Sequence, residues 1–228
     1  MSTGIKRQAG FTIIELLIAT TVFSLVLLMA VAGILQISKQ YYQGVTQARV
    51  QEAARAVTDE IGESIRFSTD SITMLNLVSG GPEIDASSAD DTGYFCLGAK
   101  RYTFAIDRQL SPSPSTAPDS KEQRHVLWTD QPAGGCTGPV GDLNIDQPSA
   151  DGRELLSENM RLTHLELVDL GIAGVNAYRL DIGVAFGDDD LLSVDDSGKS
   201  KTCEGAFVGG EFCAVSNLSI SVTKRLDN

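Results

Sequence analysis

No proline occurs before Pro82, and no charged side chain lies between Leu16 and Ile37. The first absence removes the strongest helix breaker from the opening third of the chain; the second removes the groups that most resist hydrocarbon. Basic residues are also scarce, 18 against 30 acidic ones, for a formal net charge of -12. Nucleic-acid affinity comes largely from Lys and Arg displacing counterions, so no nucleic-acid partner is expected. Histidine is limited to His125 and His164, and neither Cys-x-x-Cys nor His-x₃₋₅-His spacing occurs. The familiar zinc patterns are thereby excluded. No Gly-x-Ser-x-Gly, P-loop or dinucleotide fingerprint is present either, so no cofactor and no catalytic residue are expected. A motif-free pair of carboxylates is the one catalytic arrangement these absences leave untouched.

What the chain does have starts with a short basic leader. Met1 to Gly10 carries Lys6 and Arg7 and no acid, which keeps that segment on the cytoplasmic side of a membrane. The uncharged run from Leu16 to Ile37 forms a helix roughly 33 Å long, enough for one bilayer span. Beyond Ile37 the sequence turns polar, yet Val50, Ala54, Val57, Ile61 and Ile65 recur at helical spacing. One helix over Phe11–Arg66 is expected, apolar all round in its first half and amphipathic in its second. Gly33, Gly44 and Gly62 each weaken it by up to about 1 kcal/mol relative to Ala. An ordinary secretory signal cut at Ala30-Val31-Ala32 is the rival reading. Such signals have apolar regions of about 7–15 residues without a carboxylate, whereas this run contains Glu15 and continues through Ile34, Leu35 and Ile37.

Glu15 is the anomaly. A carboxylate in hydrocarbon costs roughly 2.5–3.5 kcal/mol, so its presence calls for a partner or for a position at headgroup level. The stretch around it, Gly10-Phe11-Thr12-Ile13-Ile14-Glu15-Leu16-Leu17-Ile18 after the basic leader, resembles the processing site of type IV prepilins and type II secretion pseudopilins. The resemblance covers about the first thirty residues. It implies cleavage between Gly10 and Phe11 by a membrane-embedded prepilin peptidase, N-methylation of Phe11, and pairing of Glu15 with the N-terminal amine of a neighbouring subunit during assembly. It further implies a pilin-like fold, other pilin or pseudopilin subunits and an inner-membrane assembly platform as partners, and passage from the membrane to an extracellular or periplasmic filament. Many major pilins bend the helix at a proline about twenty residues into the mature chain. Ala30–Leu35 has Gly33 there and no proline, which favours a minor pilin or minor pseudopilin.

After Arg66 short alternating segments appear between clusters of Gly, Pro, Ser and Asp, the pattern of strands and loops. Strands are expected at Ser71–Val78, Tyr94–Ile106, His125–Thr129 and Tyr178–Phe186. Leu218, Ile220 and Val222 repeat the same period. Leu162–Leu170 is strand-like, although its Leu and Glu content also suits a helix. The fold class is α+β, the amphipathic half of the helix covering an antiparallel sheet. The organisation is a leader over 1–10, a membrane or filament-core helix over 11–37, its amphipathic continuation over 38–66, and an exported β-rich domain over 67–228. Ser79–Thr92 and Ser111–Gln123 read as exposed polar loops.

All four cysteines follow the apolar run, where an exported domain would form disulfides. Cys203 and Cys213 bracket a short Gly-rich loop and are expected to pair, a closure that stabilises by roughly 2–3 kcal/mol. Cys96 and Cys136 are then left to each other, although four cysteines allow three connectivities and the sequence does not choose. Asp188, Asp190 and Asp195 are the only Ca²⁺ candidates; they do not fit the EF-hand pattern and read better as a solvated acidic loop. Trp128 reads as core. A structural filament subunit is the first functional reading, not an enzyme. The others are a tip adhesin whose loops recognise a host or environmental surface, and a membrane-anchored exported enzyme.

Overall fold

The computed structural model describes residues 10–68, 72–75, 84–86, 92–117, 120–136, 138–172, 176–194, 201–204 and 210–225. Among the described residues one α-helix, α1 (Ile13–Phe67), is followed by thirteen strands and two single-turn 3-10 helices, Asp189–Leu191 and Gly210–Phe212. In chain order these are β1 (Thr73–Leu75), β2 (Ile84–Ala86), β3 (Thr92–Leu97), β4 (Lys100–Ala105), β5 (Gln109–Leu110), β6 (Glu122–Gln123) and β7 (Leu127–Asp130). Then come β8 (Arg153–Glu154), β9 (Met160–Asp169), β10 (Ala177–Phe186), β11 (Leu192–Val194), β12 (Lys201–Cys203) and β13 (Ala214–Thr223). This is an α+β, pilin-like arrangement of a long N-terminal helix followed by antiparallel and mixed sheets. The chain divides into two compact units, Met1–Tyr42 and Gln43–Asn228.

α1 is continuous through Gly33, Gly44 and Gly62. Up to Tyr42 its side chains are almost all exposed. In the second unit it buries Thr46, Val50, Ala54, Val57, Thr58, Ile61, Gly62 and Ile65, a stripe at three- and four-residue intervals. Each large apolar side chain in that stripe contributes about 1.5–3 kcal/mol by leaving water. The one hydroxyl at the centre of the stripe, Thr58, bonds back to the Ala54 carbonyl at 2.6 Å and so needs no other partner. Gly62 has a reason beyond helix propensity: a Cβ there would stand 3.1 Å from Ile220 Cδ1, so its absence lets the helix lie close to β13.

The first sheet runs β1-β3-β4-β7-β8, and the second runs β13-β10-β9-β5-β6 with β2 also against β9. β11 and β12 form a separate ribbon. The chain passes between the two large sheets at Ile106 and Asp107. Ile106 bridges Leu162 in β9, and the Asp107 amide donates to the Leu162 carbonyl at 2.8 Å. Phe95, Tyr102, Phe104, Leu162, Leu165, Leu167, Leu180, Ile182 and Val184 meet the helix stripe in one core. Its aromatic part is ordered by stacking of Phe95 on the cross-strand Tyr102, with centroids 4.9 Å apart. Polar contacts register the helix on the first sheet. Ser64 bonds the Tyr102 hydroxyl at 2.7 Å, and Glu60 accepts from Lys100 at 2.9 Å and from Arg153 at 2.7 Å.

Several expected elements differ in detail. Tyr94–Ile106 is two strands, because Gly98 takes φ +62° and turns the chain back between β3 and β4. Leu162–Leu170 is strand as far as Asp169, within β9: its alternate residues Leu165 and Leu167 are fully buried against β10, and that pairing outweighs the helix propensity of Leu and Glu. A bulge at Thr163 lets Gly183 oppose His164 while Val184 opposes Leu162. His125–Thr129 is displaced to β7, Leu127–Asp130. Ser111–Gln123 ends in a short strand, β6, which pairs parallel with β5. Only Thr73–Leu75 of the Ser71–Val78 segment is described as strand, and most of Ser79–Thr92 lies outside the described residues.

Candidate assembly and processing site

Gly10 and Phe11 precede the helix in exposed, unpaired backbone, and Phe11 is 84% exposed. Nothing stands within 4 Å of where a Gly10 Cβ would lie, so the Gly10–Phe11 peptide is approachable from outside. Lys6 and Arg7 lie outside the described residues. The helix start is closed by Thr12 and Glu15 together. The Glu15 amide donates to Thr12 Oγ1 at 3.3 Å, while Glu15 Oε2 accepts from the Thr12 amide at 2.9 Å and from its hydroxyl at 2.8 Å. This is a capping box, in which the first and fourth residues satisfy each other's orphan amides. The processing motif around Phe11 and Glu15 does not by itself reveal Thr12 as a partner. The signal that does is the Thr-x-x-Glu spacing ahead of an apolar run. Both bonds to the carboxylate use Oε2.

Along the apolar run the hydroxyl side chains bond within the helix itself. Thr20 donates to the Leu17 carbonyl at 3.0 Å and Thr21 to the Ile18 carbonyl at 2.8 Å. Ser24 donates to Thr20 at 2.8 Å and Ser38 to Ile34 at 2.9 Å. Backbone and hydroxyls are thus satisfied inside the helix, which is the condition for residence in hydrocarbon. Ile13, Leu17, Phe23, Leu28, Ile34 and Ile37 are all exposed, so the outer surface is predominantly apolar. α1 is long and apolar enough to cross a membrane.

Residues 5–31 match the family model described as the prokaryotic N-terminal methylation motif. This is the type IV pilin signature. No curated protein and no solved structure matches the chain. The pilin signature and the long apolar helix together support a type IV pilin-like prepilin, a structural-subunit type and not an enzyme family. The signature implies processing by a prepilin peptidase and assembly with other pilins, and it fits membrane anchoring before export.

In the second unit, Cys96 is bonded to Cys136 and Cys203 to Cys213, with Cα atoms 6.0 and 5.8 Å apart. Asp188 and Asp190 are exposed, Asp195 lies outside the described residues, and no metal-binding group of three appears among the described residues. The neighbouring Asp189 instead pairs with Arg161. Arg161 is fully buried and anchors an ionic cluster that sequence reasoning missed. Asp107, in left-handed backbone at φ 58°, meets Arg161 Nη1 at 3.4 Å, Lys121 Nζ at 3.0 Å and Lys201 Nζ at 3.1 Å. Arg161 also donates Nη2 to the Gly187 carbonyl at 3.0 Å. Burial alone would raise the Asp107 carboxyl; the Lys121 and Lys201 ammonium groups outweigh it and hold the group below the usual range.

Trp128 and His125 are built into the packing of the second unit. Trp128 is buried with Ala105, Val140 and Leu143, and donates its indole N–H to Ser149 at 3.3 Å. His125 packs edge-on against it, 4.4 Å between centroids, with Nδ1 3.6 Å from Glu154. The Glu154 carboxylate is engaged by the Val126 and Leu127 amides at 2.9 Å, so it holds backbone and faces no open site.

Proposed function

We propose that the protein is a minor structural subunit of a type IV pilus or a type II secretion pseudopilus. It is made as a prepilin with its N-terminus in the cytoplasm, cleaved between Gly10 and Phe11, and N-methylated on Phe11. Residues 1–10 act as the leader, 11–37 as the span and filament core, 38–66 as the helical continuation, and 67–228 as the exported domain. The observation that carries this reading is the pilin signature on a helix whose outer surface is apolar and whose hydroxyls are satisfied internally. Such a segment exchanges lipid for other helices without losing hydrogen bonds. Absence of a helix-bending proline in the first unit supports a minor role. Glu15 joins a neighbour through its carboxylate: the cap occupies Oε2, and the Phe11 amine released by cleavage is the cation it meets. Mass spectrometry of the mature N-terminus tests the assignment. Methylated Phe11 is expected; a chain starting at Gly33 would sink it.

A second reading, recognition of a surface, is favoured by one feature. Ser113, Ser115, Thr116, Ser120, Arg108 and Arg124 line a polar cleft beside the Ser-Pro loop. The loop is folded by its own bonds, with the Ser115 amide on Glu122 at 2.6 Å and Arg108 on the Ser120 carbonyl at 3.1 Å. Loss of a specific surface ligand on deleting Ser111–Gln123, with filament incorporation intact, would establish it.

A further inference from the structure

β13 ends the second sheet, and among the described residues no strand lies beyond it. The parity of its ladder shows which main-chain groups are left facing outward. Lys224 N donates to Asn176 O at 2.8 Å, on the β10 side. Pairing runs without slip from Ala177 opposite Thr223 to Phe186 opposite Ala214. Even-numbered residues of β13 therefore bond inward and odd-numbered ones point outward. Val215 agrees, since its carbonyl accepts the Gln47 side-chain amide at 3.3 Å instead of a β10 donor. Asn217, Ser219, Ser221 and Thr223 thus turn their N–H and C=O groups away from β10, and all four residues are exposed.

Natural sheet edges are usually blunted by Lys, Pro, a bulge or brevity. β13 has none of these: it runs for 10 residues without charge, proline or register shift. The core beneath it is also incompletely covered. Leu218 and Ile220 are only partly buried, whereas their partners on β10, Ile182 and Leu180, are 0% exposed. An added strand would satisfy the outward groups and cover both side chains.

We propose that the β13 edge is a docking site for an extended segment of a different polypeptide, added antiparallel, uncharged over its paired residues and acidic at its N-terminal end. Antiparallel addition is the more stable pairing, and it places the incoming N-terminal end beside Lys224 and Arg225, just past the strand. A second copy fits less well. Two chains of formal net charge -12 repel, which disfavours self-pairing. This assignment does not depend on the filament role.

The test uses the full chain in detergent micelles and a fluorescent peptide of two aspartates followed by seven alternating threonines and valines, read by anisotropy. Saturable binding is expected. Ser219→Pro removes one outward N–H and leaves the β10 ladder intact, so binding should weaken at least tenfold, while Ser219→Ala leaves it unchanged. Arg225→Glu should weaken the acidic peptide several-fold but spare one with glycines in place of the aspartates. The same peptide N-methylated at the residues facing β13 should not bind, a result that requires no variant to fold. Equal binding by the N-methylated peptide, full binding by Ser219→Pro, or no saturable binding at all would overturn the proposal. A peptide-free dimer abolished by Ser219→Pro would overturn the assigned occupant in favour of a second copy.

Discussion

The two compact units hold their structure by opposite means. Up to Tyr42 the cap and hydroxyl contacts are local: the Thr12–Glu15 cap, the helix ladder, and hydroxyls bonded three or four residues back. From Gln43 onward the decisive contacts are distant in sequence. Ile61 packs in a core with Phe95, Leu162 and Ile182, and Asp107 meets Lys201 across the fold. One stretch of helix therefore serves two regimes, and a substitution should be felt very differently in each. A unit stabilised locally is free to change its surroundings; a unit stabilised by its core is not.

The sharpest separation of the two is expected from Glu15→Ala. If the proposed filament role holds, it should abolish incorporation into filaments while leaving membrane insertion and the denaturation midpoint of the second unit unchanged; normal assembly would leave the charge-pairing argument without support. Next in size is Asp107→Ala, which strands Arg161, Lys121 and Lys201 without their shared acid. About 3–5 kcal/mol of domain stability should be lost by urea unfolding, with no effect on the first unit. The same cluster sets a pH dependence. Because the folded Asp107 carboxyl sits below its unfolded value, its contribution is complete above about pH 4 and is lost as pH falls through the folded value. Asp107→Asn should flatten that acid limb, and an unchanged limb would remove Asp107 as its source.

A paired experiment compares the halves of α1 directly. Ile61→Ala should cost the domain about 2–5 kcal/mol, whereas Leu17→Ala should leave its unfolding unchanged. Similar losses in both would break the distinction. The smallest effect is expected at Gly62→Ala, where a gain of about 1 kcal/mol in helix propensity opposes a Cβ 3.1 Å from Ile220 Cδ1. A net change below about 1 kcal/mol in thermal unfolding is expected; a clear gain would show that Ile220 moves aside easily.

Legibility in the sequence follows the same division. The helix, its apolar half and the stripe Val50, Ala54, Val57, Ile61 and Ile65 could be read because their cause is periodic and local. Tyr178–Phe186 was readable for the same reason, since alternation directly reports a half-buried strand. The β3–β4 turn was hidden because Gly98 and Ala99 sit inside an otherwise strand-like run, and only a positive φ marks the reversal. The Arg161 cluster was invisible for a deeper reason. Its members lie at 107, 121, 161, 189 and 201, and a lone charge in sequence reads as surface until the fold brings its counter-ions together. Thr12 was a different kind of miss: its spacing to Glu15 was in plain view, but the processing motif drew attention to Phe11.

The hydroxyls along the apolar helix carry one further consequence. Because Thr20, Thr21, Ser24 and Ser38 are bonded to their own backbone, that surface makes no directional demand on whatever touches it. Beyond Glu15, its packing against a neighbour rests on shape, and no hydroxyl bond is broken when the surroundings change. Such a helix can pass between lipid and other helices with all four of these hydroxyl bonds intact.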